Sequence, residues 1–148
     1  MAAASVNRMV LHVAAGVLQD RSGRVLISQR PSDSHMAGAW EFPGGKIESG
    51  ETPLQGLVRE LRDELSITVG YARHLVHYAH EYPDRRVHLY IWKVLAWRDV
   101  PHGAEGQALQ WVEPAKLMQA GLLPADERIA SLLMRSSRAS ELDLVVPE

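Results

Sequence analysis

Residues 45–67 read GKIESGETPLQGLVRELRDELSI, and this stretch decides how the rest of the chain is read. A glycine loop leads into a helix whose start is written in its chemistry. Thr52 is a good N-cap residue, Gln55 completes a capping box, and Pro53 suits the first helical position, where its missing N–H costs nothing. Leu54, Leu57, Val58, Leu61 and Leu65 recur at helical spacing and predict one apolar stripe. At 100° per residue, Glu60, Asp63 and Glu64 share a neighbouring arc roughly 100° wide. With Glu51 in the preceding loop they form a concentrated set of hard oxygen donors, the type that divalent-metal and phosphate chemistry needs. Gly56 falls inside the acid arc. It is either a tolerated surface glycine, at about 1 kcal/mol relative to alanine, or a gap that lets a loop or ligand approach.

Outward from this helix the chain alternates strand and turn signals. Val10 to Leu18 reads as a buried strand, Asp20 to Gly23 as a turn, and Val25 to Gln29 as the returning strand of a hairpin. Pro31 to Gly38 is loop-like, and Trp40-Glu41-Phe42 is a short extended piece ending in Pro43-Gly44-Gly45. Past the helix, His74 to Tyr82 and Val87 to Trp97 predict a second hairpin turning at Pro83 to Arg86. Pro101 to Gln107 is a loop holding His102 and Glu105, Leu109 to Val112 is a short strand, and Pro114 to Ala120 is a short helix. A final amphipathic helix begins over Asp126 to Arg135, after which residues 136–148 read as a polar tail. This order predicts an α+β fold, a mixed sheet with helices packed on it, in one domain with its core over about residues 9–135.

Composition narrows the function classes. The chain has 148 residues, 46% of them hydrophobic, and a net charge of -2. That suits one globular core and gives no global basic field for a nucleic-acid backbone. The absence of cysteine excludes disulfides, thiolate zinc sites and cysteine nucleophiles. The start of the sequence lacks a charged segment followed by a long apolar run, and Met9 to Leu18 is too short to span a bilayer. The expectation is a cytoplasmic protein, monomer or homodimer, that acts on a small nucleotide and engages neither membrane nor nucleic acid.

Residues 45–67 resemble the Nudix box, G-x5-E-x7-R-E-U-x-E-E-x-G-U with U apolar. Gly45, Glu51, Arg59, Glu60, Leu61, Glu64 and Ile67 match; Asp63 replaces a glutamate and Ser66 a glycine. The segments Ser34 to Ala37, Glu41 to Glu48, Glu81 to Arg85, and Glu105 to Gln107 with Trp111 are similar to the MutT branch of that family. The resemblance implies a Nudix αβα sandwich around a central mixed β-sheet. It also implies Mg²⁺-dependent hydrolysis (Mn²⁺ a substitute) of a nucleoside triphosphate, 8-oxo-dGTP above all, to the monophosphate and pyrophosphate.

Residue by residue, the resemblance makes Gly44, Glu60, Asp63, Glu64 and Glu105 candidate metal ligands. Glu60 and Glu105 are both candidates for the general base, Glu51 is an orienting partner, and Arg59 anchors the acids through charged hydrogen bonds. Arg30, His35, Glu41, Phe42, Gly44, Tyr82, Arg85 and Asp126 are the candidate nucleotide contacts. Asp126 falls where the MutT branch has an asparagine. An ionised aspartate only accepts hydrogen bonds, so it suits the N7–H of 8-oxoguanine and repels the neighbouring O6 unless protonated. The same position suits a helix N-terminal cap or dipole partner, and the sequence leaves both readings open. So are two other functions: a Nudix hydrolase for a modified pyrimidine triphosphate, dinucleoside polyphosphate or ADP-ribose, and a non-catalytic Nudix-fold sensor.

Overall fold

The computed structural model describes residues 8–143. Four strands form one mixed sheet in the order β4-β1-β6-β5: β1 is Met9–Leu18, β4 Gly44–Lys46, β5 Thr68–Glu81 and β6 Arg85–Arg98. β1 runs parallel to β6 from Met9↔Arg85 to Leu18↔Val94, while β1/β4 and β5/β6 are antiparallel. A second, three-stranded antiparallel sheet has the order β3-β2-β7, with β2 at Val25–Gln29, β3 at Trp40–Glu41 and β7 at Leu109–Val112.

The two helices cover opposite faces of the four-stranded sheet, because alternate strand residues face opposite sides. Helix α1, Pro53–Leu65, sets Leu57, Leu61 and Leu65 against Ala14, Leu18, Trp92 and Val94. Helix α2, Glu127–Asp143, sets Ile129 and Ala130 against the other cluster, with Ala15, Val17, Leu89 and Ile91. The second sheet joins both layers, Leu26 facing the first cluster and Val25 and Ile27 the second. The result is the α+β, αβα arrangement that the resemblance implies.

The start of α1 forms as its sequence dictates. Thr52 Oγ1 accepts from Gln55 N–H, Gln55 Oε1 accepts from Thr52 N–H, and Pro53 opens the helix. Leu54 departs from the predicted stripe and stays 42% exposed. Gly56 is buried: an added Cβ would lie 3.2 Å from Ile47 Cγ1 and 3.5 Å from Glu51 Oε1, so the glycine admits the preceding loop.

Three readings of the sequence need correction. β1 and β2 do not pair as a hairpin: the turn at Asp20 to Gly23 closes locally, but only Gln19↔Val25 bridges the strands before β2 enters the other sheet. β5 begins at Thr68, because irregular pairing between Val69 and Val76 lets it follow β6 where its alternation is broken. The last helix is preceded by a 3-10 turn, Pro124–Asp126, and runs on to Asp143, past Ser136. Pro114–Gln119 is also 3-10. The predicted tail beyond Asp143 lies outside the described residues. Among the described residues no helix is long and apolar enough to cross a membrane.

Candidate functional site

Backbone contacts at both ends of the chain's central segment bring the acids together. Gly44 N–H donates to Glu64 Oε2 at 2.8 Å, tying β4 to the last turn of α1. The carbonyls at a helix C-terminus have no intrahelical partner, and here the loop before β7 supplies donors. His102 N–H donates to Leu65 O, and Ala104 N–H and Gln107 Nε2 donate to Glu64 O. That loop carries Glu105, whose charge acts on Glu60 and Glu64. Gly45 packs so closely on Glu60 that an added Cβ would sit 2.4 Å from its carboxyl carbon.

Arg59 organises the cluster. Its Nε and Nη2 donate to the two oxygens of Glu51 at 2.7 and 2.9 Å, its Nη1 to Glu60 Oε1 at 2.8 Å, and Nη2 also to Lys46 O at 2.9 Å. Its distance to Asp63 is 3.8 Å, so the i, i+4 pair is the weakest of its contacts. The Arg59 bond, with one from Glu48 N–H, holds the Glu51 carboxyl below its ordinary pKa. Glu51 is therefore a fixed anion that orients Arg59. Asp63 has a side chain 56% exposed and lies at the edge of the cluster.

Glu60 and Glu64 are pushed the other way. Burial raises Glu60 against the Arg59 bond, with Asp63 and Glu105 adding to the rise. Burial pushes Glu64 up to about 8, helped by the charges of Glu41, Glu60 and Glu105 and opposed by the Gly44 bond. Among the described residues, no three of His, Asp and Glu form a ready-made metal cage. The donor set nevertheless fits a hard divalent ion: several mutually repelling carboxylates, two of them half-buried, are relieved by such a charge, and Mg²⁺ keeps most of its waters and needs few protein oxygens.

Beside the acids, a cavity of about 370 Å³ opens between the sheets. All eight candidate nucleotide contacts line it: Arg30, His35, Glu41, Phe42, Gly44, Tyr82, Arg85 and Asp126. Arg30 braces one wall, donating from Nε to His35 O at 2.6 Å and from Nη1 to Glu41 Oε2 at 2.8 Å. Burial raises Glu41 while Arg30 opposes the rise. His35 Nε2 is buried without a partner, and its ring meets Tyr82 edge-on at 5.4 Å. Phe42 is both wall and core, 2% exposed. Arg85 side chain pairs with Asp84 at 3.0 Å.

Asp126 is 5% exposed, and its Oδ2 accepts from Phe42 N–H at 2.9 Å. The carboxyl thus bonds across the molecule to Phe42 and lines the cavity, and among the described residues it makes no capping hydrogen bond to the first turn of α2. Burial pushes Asp126 up to about 8, against the Phe42 bond.

The sequence did not point to the apolar floor of Leu11, Val13, Ala15, Val87 and Leu89. Its signal was present, since these are alternate residues of β1 and β6, but which face would remain open was not. Ser28, opposite Glu41 in β2, is buried with an unpartnered hydroxyl and gave no signal.

Comparison with known proteins places this geometry among relatives. The NUDIX domain family model matches residues 14–132. An 8-oxo-dGTP diphosphatase of Escherichia coli K12 is 39% identical over 84% of this chain and 97% of its own length. A CTP pyrophosphohydrolase of the same organism is 37% identical over 89% of this chain and 98% of its own. Among solved structures, a MutT from work on Aliivibrio salmonicida and Vibrio cholerae matches with TM-score 0.74 and 31% identity, over 86% of this chain and 98% of its own.

Proposed function

The chain belongs to the NUDIX domain family, and on that premise we propose that it hydrolyses nucleoside triphosphates, 8-oxo-dGTP foremost, to the monophosphate and pyrophosphate with Mg²⁺. The observation that carries this reading is the shared rim at Gly44 and Gly45. Both glycines line the cavity, and both touch the acids of α1. A base in the cavity would have its phosphates at Glu60 and Glu64.

Glu60, Glu64 and the Gly44 carbonyl are the groups that would hold the ion, with Asp63 and Glu105 on its flanks. Bound there, Mg²⁺ neutralises phosphate oxygens and lowers the pKa of a bound water. Arg59 holds Glu60 in one orientation, so Glu60 is poorly free to turn toward a water. Glu105 is exposed and makes no ion pair among the described residues. It is the acid we assign to accept the proton of the attacking water.

Asp126 supplies base recognition. With a pKa near 8 it is largely a neutral acid at pH 7. One oxygen then accepts and the other donates, the pattern of an amide. That removes the repulsion an aspartate ion would exert on O6. A second reading rests on the same residue, because a carboxyl also accepts from the N4 amino group of cytosine. The name of the CTP pyrophosphohydrolase relative gives CTP a place in the test. We assign the chain to one domain working in the cytoplasm as a cleanser of the nucleotide pool.

Pyrophosphate release from 8-oxo-dGTP, dGTP and CTP, each with and without Mg²⁺, tests the proposal. Turnover should require the metal and fall by about 100-fold or more in Glu64→Gln, as loss of a metal ligand predicts. Undiminished turnover in that variant refutes the ligand assignment. A ratio of kcat/KM near one for 8-oxo-dGTP over dGTP removes the sanitation role, and the highest kcat/KM for CTP selects the second reading.

A further inference from the structure

Two tyrosine hydroxyls grip the peptide units on both sides of Ala125, the residue before Asp126. Tyr82 Oη accepts from Ala125 N–H at 3.1 Å, and Tyr78 Oη donates to Ala125 O at 2.5 Å. Ala125 lies in the 3-10 turn Pro124–Asp126, whose first N–H groups lack a partner within the turn. Tyr78 and Tyr82 are 7% and 9% exposed, and a buried hydroxyl without a partner is costly. Each hydroxyl therefore has a reason to hold this turn, and the turn a reason to be held.

The grip reaches the cavity through Asp126. Tyr82 and Ala125 line the cavity, whereas Tyr78 lies behind that wall. Arg128, in the first turn of α2, places its guanidinium 4.8 Å from the centre of the Tyr78 ring and fastens the same corner. The charge of Asp126 raises the pKa of both tyrosines, after burial in each case, which reflects how close the three groups lie. At its far end the carboxyl is fixed by Phe42 N–H. Asp126 is thus located by its backbone from the β5 side and by its carboxyl from the segment between β3 and β4.

We propose that Tyr78 is a positioning residue for base discrimination, acting through Ala125 on Asp126. This rests on the reading that Asp126 contacts the base. Burial alone asks for a phenylalanine at this position; the hydroxyl serves to fix the turn.

Steady-state kinetics of the full chain with Mg²⁺ on 8-oxo-dGTP and dGTP test it in wild type, Tyr78→Phe, Asp126→Ala and the double variant. Tyr78→Phe should shift the ratio of the two kcat/KM values by about threefold to tenfold, the size of one lost hydrogen bond. The change should lie in KM more than in kcat, and little of it should remain in the Asp126→Ala background, which has no group left to position. A ratio cancels the concentration of active enzyme, so partial unfolding cannot imitate the effect. An unchanged ratio in Tyr78→Phe, alongside a changed one in Asp126→Ala, overturns the role of Tyr78 and leaves the base reading standing. Equal shifts in both backgrounds also overturn it. An unchanged ratio in Asp126→Ala shows that the base reading has failed, and the positioning role fails with it.

Discussion

Arg59 shows how little of a residue's part can be judged from its own neighbours in sequence. On a helix surface its natural partner is Asp63, an i, i+4 pair worth a few tenths of a kcal/mol. The structure gives that pair 3.8 Å and spends the guanidinium on Glu51, Glu60 and the Lys46 carbonyl. A planar fork can satisfy several acceptors at once, which an ammonium cannot. Arg59→Ala should therefore lower kcat/KM by about 10- to 100-fold, the usual cost of losing a group that orients metal ligands. Arg59→Lys should recover only part of that loss. Steady-state rates across a Mg²⁺ titration check this, and a weaker apparent metal affinity in both variants is the expected signature. The box pattern made this anchoring role legible; a surface-helix reading without it would have chosen Asp63.

Helix α1 was legible almost to the residue, because its capping box, first proline and leucine spacing are local signals. What lay beyond it was not. Leu54 belongs to the stripe by periodicity and yet is exposed, since periodicity names a side of the helix and not how far the sheet extends beneath it. The β1–β2 turn was equally readable, but turn chemistry closes a few residues and cannot say which sheet the next strand joins. At the other end of α1, Ser66 replaces the expected glycine and takes φ 56° and ψ 37°, with its N–H donating to Arg62 O. A non-glycine residue in the left-handed region costs about 1 kcal/mol. Ser66→Gly should recover about that amount and raise Tm by about 2–4 °C. Calorimetry of the two proteins decides it, and kcat should be unaltered because Ser66 does not line the cavity.

At the scale of the molecule, the site sits where three separate parts of the chain close on one another, and its formation has an electrostatic cost that pH reveals. Asp126 couples the start of α2 to Phe42 across the cavity, and burial there raises its pKa from an ordinary 3.8 to about 8. The folded state then binds this proton more tightly than the unfolded state does. Between about pH 4 and pH 8 the native chain holds the proton and the unfolded chain has released it, so stability falls as pH rises through that window. Below it both states are protonated, and above it both are ionised with the penalty fully present. Asp126→Asn keeps an acceptor for Phe42 N–H and removes the titration. Urea unfolding at several pH values should show wild type losing stability more steeply than Asp126→Asn from pH 4 to pH 8, with the variant gaining relative to wild type toward the alkaline end. Parallel pH dependence in the two proteins would mean that Asp126 is ionised in the folded state throughout. It would then face substrate as an acceptor only, which favours the amino group of cytosine over the O6 edge of an oxidised guanine.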